Sequence, residues 1–168
     1  QTTTSYNTAV GAGTLKANTS GSSNVAVGGL ALTANTTGNY NIAMGVDALA
    51  TSTTGDNNIA IGDDALRYST TASNNTAVGH NALIQNTTGY SNVAIGVEAA
   101  KNGTTAYKNN AVGHQALQSV TTGNRNNAFG TNALSSNTTG AYNTAIGHEA
   151  LNANTTANDN VGVGYEAL

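Results

Sequence analysis

The residues best equipped for chemistry are three histidines and a small group of acids. His80, His114 and His148 recur at intervals of 34 residues, and Asp47, Asp63 and Asp64 lie close in sequence with Asp56 between them. Imidazoles gathered on one ion would make a transition-metal site, and carboxylate oxygens converging from neighbouring segments would suit calcium. Nucleophilic catalysis has less to build on. The chain has no cysteine, and no serine or threonine is tied by local spacing to both a histidine and an acid. His148 and Glu149 are adjacent, so their side chains tend to diverge. Gly11-Ala-Gly13 and Gly162-Val-Gly164 precede no helix, which argues against a phosphate loop. The Gly-Gly-x-Gly-x-Asp signature of calcium-binding roll repeats is missing. The expectation is a protein that is not an enzyme and carries no cofactor or metal.

Composition narrows the classes further. Thr, Asn, Ala and Gly number 27, 26, 28 and 20, so four small residue types fill 101 of 168 positions. Leu, Ile, Val and Phe total only 28, a level that warns of disorder when net charge is high. The net charge is −3, so disorder does not follow. Five Lys plus Arg are too few to neutralise a polyphosphate, which excludes nucleic acid as a partner. No apolar run is long enough for membrane insertion, and residues 1–15 do not read as a signal peptide.

A repeat explains the bias. Asn-x-Ala-x-Gly, with Gly once in place of Ala, starts at Asn7, Asn24, Asn41, Asn58, Asn75, Asn92, Asn109, Asn126, Asn143 and Asn160, each 17 residues after the last. The consensus is N-[TVI]-A-[VI]-G-x-x-A-L-x-x-N-T-T-G-x-x. Residues 1–6 are a leader, and 7–168 form a single repeat domain of nine full repeats and a partial tenth. Position 1 is Asn and position 5 is Gly in every repeat, so Asn24, Asn41, Asn58, Asn75, Asn92, Asn109, Asn126 and Asn143, with Gly28, Gly45, Gly62, Gly79, Gly96, Gly113, Gly130 and Gly147, are assigned structural roles. Position 4 is always large and apolar, from Val10 to Val163.

A 17-residue unit is too short for helical or leucine-rich repeats. It suits an all-β fold, a β-solenoid (β-roll) of ten stacked coils, with like residues stacked at the ~4.8 Å strand spacing. Positions 1–4 read as one strand, Gly at position 5 as a corner, positions 8–11 as a second strand, and Asn-Thr-Thr-Gly as the return turn. The Asn column is expected to form an amide ladder. The apolar columns at positions 4 and 9 are expected to fill the interior. Two large apolar residues per coil is thin cover against a backbone entropy of ~1–2 kcal/mol per residue. The Ala column at position 3 is therefore expected to pack against a partner chain, most simply in a parallel homotrimer. The chain stops in mid-repeat at Leu168, so it reads as an excerpt of a longer fibre or as a unit that stacks end to end.

The stretch Asn75-Thr-Ala-Val-Gly-His-Asn-Ala-Leu83, followed by Asn86-Thr-Thr-Gly89, resembles the repeat regions of phage tail-fibre-like and bacterial surface-fibre proteins. That likeness extends over residues 7–168. The Ala-Val/Ile-Gly-x-x-Ala core is similar, over a shorter motif, to the head repeats of trimeric autotransporter adhesins. The resemblance implies a trimeric fibre, extracellular, on a cell surface or on a virion, that acts as a shaft or an attachment surface. The chaperone domain that often follows such repeats is not in this sequence.

With the stack in place, the candidate sites can be weighed. His80, His114 and His148 share position 6 in alternate coils, roughly 9–10 Å apart at the strand spacing, too far to share an ion within one chain. Around a threefold axis, one His from each of three chains could converge. Asp47 and Asp64 share position 7 in adjacent coils. Tyr40, Tyr90, Tyr107 and Tyr142 flank the return turn and offer rings to a host-surface glycan or matrix. Adjacent Thr residues at positions 13 and 14 raise an ice-binding alternative, weakened because a strand would turn them to opposite faces. A self-stacking filament subunit is the second alternative. Seven glycosylation sequons begin at Asn18, Asn35, Asn74, Asn86, Asn102, Asn137 and Asn154. Residues 92–108, with Ala100 in place of Leu, are expected to be the softest coil. Lys101, Lys108 and Arg125 nearby are read as solubilising charges.

Overall fold

A computed structural model describes residues 6–168; apart from Tyr6, the leader lies outside the described residues. Ten three-residue strands follow one another: β1 (Thr8–Val10), β2 (Val25–Val27), β3 (Ile42–Met44), β4 (Ile59–Ile61), β5 (Thr76–Val78), β6 (Val93–Ile95), β7 (Asn110–Val112), β8 (Asn127–Phe129), β9 (Thr144–Ile146) and β10 (Val161–Val163). They form one parallel sheet in sequential order. Each residue pairs with the one 17 positions later, as in Ala60↔Ala77 and Ile61↔Val78. The period thus becomes the register of a β-solenoid of about nine turns. At the parallel strand spacing the rod is roughly 43 Å long. No helix among the described residues is long and apolar enough to cross a membrane.

The sequence reading assigned two strands to each coil, and the structure has one. Positions 6–11 are a run of turns, and positions 8 and 9 are both buried, as Ala48 and Leu49 show at 0% exposure. A strand cannot bury neighbours on one face. The chain achieves it by placing the Leu in the left-handed region, with φ of 51° at Leu49, 52° at Leu66 and 51° at Leu83. For a residue with a Cβ this costs ~1–2 kcal/mol, which burial of the side chain must offset in each coil.

Inside and outside are also reversed relative to expectation at positions 3 and 4. The position-3 alanines, Ala26 through Ala145, are completely buried. Position 4 faces outward instead, with Met44, Ile61, Ile95, Phe129 and Ile146 between 38% and 45% exposed. The reason is the bore of the coil. The position-3 alanines and position-9 leucines pack in one cluster, and where Gly162 takes position 3 an added Cβ would lie 2.8 Å from Leu151 Cγ, too close to fit without a shift. The Leu at position 9 supplies the large side chain of most coils, and coil 109–125 buries Val120 as well as Leu117. The core is an Ala-Leu stack, with Leu32, Leu49, Leu66, Leu83, Leu117 and Leu134 fully buried.

Two polar devices knit the coils together. Asn75 Oδ1 accepts from the Asn92 backbone N–H at 3.0 Å and from Asn92 Nδ2 at 3.2 Å. Asn75 Nδ2 donates to Gly89 O, closing its own coil, at 2.9 Å. This arrangement recurs along the position-1 column, whose members from Asn24 to Asn143 are buried. Position-13 threonines form the second ladder, with Thr36 Oγ1 donating to Thr53 O at 2.9 Å and Thr87 Oγ1 to Thr104 O at 3.0 Å. At the position-5 corner, Gly28 has φ +131°, and a Cβ there would lie 2.5 Å from Gly45 O. Only glycine allows coils to approach so closely.

Candidate functional site

Among the described residues, the candidates stand in columns on the outside of the rod, where contact is available. The outer face of the sheet is the most extended of them. Val10, Val27, Met44, Ile61, Val78, Ile95, Val112, Phe129, Ile146 and Val163 stand one above another at position 4. Position 2, beside them, carries Val25, Ile42, Ile59 and Val93, each partly exposed. The result is a continuous apolar strip along the rod, of the kind that marks a contact surface in soluble proteins. Only its position-2 flank turns polar, at Thr8, Thr76, Asn110, Asn127 and Thr144, and Asn110 Nδ2 donates to Asn127 Oδ1 at 2.8 Å.

The acids and histidines form ion pairs and stacks. Arg67 bridges Asp64 at 2.9 Å and Asp47 at 3.4 Å, and Asp64 foremost raises the guanidinium pKa above its usual value. The two carboxylates that share position 7 thus already hold a cation. Asp63 lies 3.4 Å from His80 Nδ1, and the His148 ring stacks on Tyr165 at 5.2 Å. His114 is exposed at the same corner. Among the described residues, no three His, Asp or Glu side chains are grouped to hold an ion.

The tyrosines occupy one another's faces. Tyr90 and Tyr107 stack at 5.0 Å with planes 9° apart. Arg125 lies over Tyr107 and over Tyr142, 5.4 Å and 5.3 Å from the centroids, and donates to Tyr142 Oη at 2.9 Å. A sugar stacking on Tyr90, Tyr107 or Tyr142 would have to compete with these partners. Tyr40, 63% exposed, takes part in none of these stacks. Arg125 is therefore held in an aromatic stack, and Lys101 is paired with Glu98 at 2.7 Å.

The Thr-Thr pair differs from the strand-based expectation. Positions 13 and 14 lie in a bend, so the two side chains are not driven to opposite faces. The position-14 residues, Ser20 and Thr37 through Thr156, are all exposed. Position-13 hydroxyls are committed to the ladder between coils.

Sequence reasoning missed one group, the polar cluster around Glu98. Its carboxylate accepts from Lys101 Nζ, from Gln115 Nε2 at 2.9 Å and from Gln118 Nε2 at 2.7 Å. These bonds, that of Lys101 first, hold its pKa down to about 2. The signal was available, since Glu98 and Gln115 share position 7 in adjacent coils. Of the sequon asparagines, Asn35, Asn86 and Asn137 are fully buried, whereas Asn74 and Asn102 are exposed. No family model matches the chain, and neither a curated protein nor a solved structure matches it.

Proposed function

We propose that this chain is a structural rod, a segment of an extracellular or virion fibre that assembles as a parallel homotrimer and serves as shaft or attachment surface. The observation that carries this reading is the outward apolar strip at position 4, present at every level of the rod. A side chain such as Ile61 or Phe129, left half in water, gains from burial against a second copy. Parallel alignment brings like residues together at each level, so one favourable contact is repeated along the whole length. The resemblance to surface-fibre repeats supports three chains and an extracellular or virion setting. Replacing Ile61 and Ile95 together by Lys tests the reading. The variant is expected to keep its β-sheet circular dichroism and to sediment as a monomer; an unchanged assembly would overturn the proposal.

One observation favours a second reading, ice binding. The exposed position-14 column places eight threonine hydroxyls in register along the rod, with none bonded to another protein group among the described residues. Thermal hysteresis in the purified chain, abolished by Thr71→Val and Thr88→Val together, would support it. Freezing behaviour equal to that of a non-binding protein would remove it.

A further inference from the structure

The inner column at position 12 reads Asn18, Asn35, Ser52, Ser69, Asn86, Gly103, Val120, Asn137 and Asn154. Where it is Asn, the carboxamide nitrogen closes its own coil by donating to the carbonyl at position 15. Asn35 Nδ2 reaches Gly38 O at 3.1 Å, Asn86 Nδ2 reaches Gly89 O at 3.0 Å, and Asn137 Nδ2 reaches Gly140 O at 3.0 Å. Asn35 Nδ2 also donates to the preceding Asn18 Oδ1 at 2.9 Å. One amide nitrogen thus serves two acceptors, one in each of two coils.

The next coil, 41–57, breaks this pattern. Ser52 replaces Asn and is too short to reach either acceptor. Asn35 Oδ1 and Ser52 Oγ, both on fully buried residues, find no partner within the protein. Gly55 O receives only the position-1 donation, from Asn41 Nδ2 at 2.7 Å. Buried polar groups are satisfied in nearly all folded proteins, by protein or by ordered water. Exchanging a carboxamide for a hydroxyl releases a volume of about one water, ~30 Å³.

We infer that one ordered water is built into coil 41–57, at the place of the missing amide nitrogen. It donates to Asn35 Oδ1 and to Gly55 O and accepts from the Ser52 hydroxyl. That gives it three partners, the usual number for a buried water. Its two donations reproduce those of Asn35 Nδ2 one level earlier. A Cβ on Gly55 would clash with Ala72 O in the next coil and lie 3.2 Å from Ser52 Oγ, so glycine leaves this place uncrowded. In the following coil the serine is Ser69 and position 15 is Ala72, so a methyl is present where Gly55 has none. Ser69 Oγ and Asn86 Oδ1, further along the same column, also lack a partner within the protein.

Ser52→Asn tests the assignment, because Asn already occupies this column beside Gly at Asn35 and Asn86. In crystals that show ordered waters, the wild type is expected to have a density peak within hydrogen-bond distance of Asn35 Oδ1, Ser52 Oγ and Gly55 O. In S52N the carboxamide nitrogen replaces that peak. Oxygen-17 relaxation dispersion in solution is expected to count one fewer long-lived internal water in S52N. A wild-type site with Ser52 Oγ bonded directly to Asn35 Oδ1 and no peak would overturn the proposal, as would equal water counts in the two proteins.

Discussion

Ala60 and Ile61 are neighbours in β4 and face opposite ways: Ala60 is fully buried, and Ile61 is 38% exposed. The smaller residue belongs to the core because Leu66, fully buried, already fills the interior of this coil. The larger residue lies on the surface that other chains can reach. Ala60→Val is expected to destabilise the fold by about 1–3 kcal/mol through overpacking against the leucine column. Ile61→Val should leave the melting temperature of the dissociated chain nearly unchanged. Urea unfolding of the two variants checks the contrast, and equal destabilisation would contradict the inside-out assignment.

The asparagine ladder makes a second demand on stability. Asn75→Ala strands the Asn92 N–H inside the rod, 3.0 Å from the oxygen removed, while Gly89 O keeps its bond from Asn86 Nδ2. Buried groups left unpaired cost about 1–3 kcal/mol each. The expected loss is therefore about 1–3 kcal/mol, read as a lower urea midpoint. Asn81→Ala, at a corner that shares its amide only with the exposed His80, is the control and should change little.

Coil 92–108 carries the chain's own core deletion. Ala100 has φ 48°, matching the leucines above and below, and is 2% exposed. Its amide donates to Ala116 O at 2.9 Å, so the backbone is already set for Leu. Ala100→Leu is expected to stabilise the rod by about 1–3 kcal/mol. Hydrogen exchange should show 92–108 as the least protected interior coil in the wild type, with protection rising in the variant. Equal protection throughout the wild type would contradict this.

Acid should weaken the same region. Glu98 titrates at about 2 in the folded chain against 4.5 for a free glutamate, chiefly through its bond to Lys101. A depressed carboxylate pKa contributes stability that is complete above the unfolded pKa and is lost as pH falls through the folded one. The stability gap between wild type and Glu98→Gln should therefore be constant above about pH 5. It should shrink from there towards about pH 2. A gap independent of pH across that window would show that the ion pair contributes nothing.

The period, the parallel stack and the asparagine column were legible because each repeats at 17 residues without a slip. The inward and outward faces were not. Alternation says only that Ala60 and Ile61 diverge, and assigning the larger residue to the core is sound for wide sheets but fails in a coil this narrow. The second strand was misread for a related reason. Ala-Leu at positions 8 and 9 looks extended until both residues are seen to be buried, which requires Leu in a left-handed turn. The surface clusters combine pairs three residues apart, such as Asp64 with Arg67, with residues 17 or more apart that meet across coils. Arg67 between Asp47 and Asp64, and Tyr90 on Tyr107, follow from the register once positions are aligned, but side-chain reach decides which partner wins.

The outward strip is the centre of the functional account, and the mass of the assembly in solution tests it most directly. One chain is 16.7 kDa. Sedimentation equilibrium on the purified chain is predicted to give three times that mass. A single species at the mass of one chain, persisting as concentration is raised, would contradict the account.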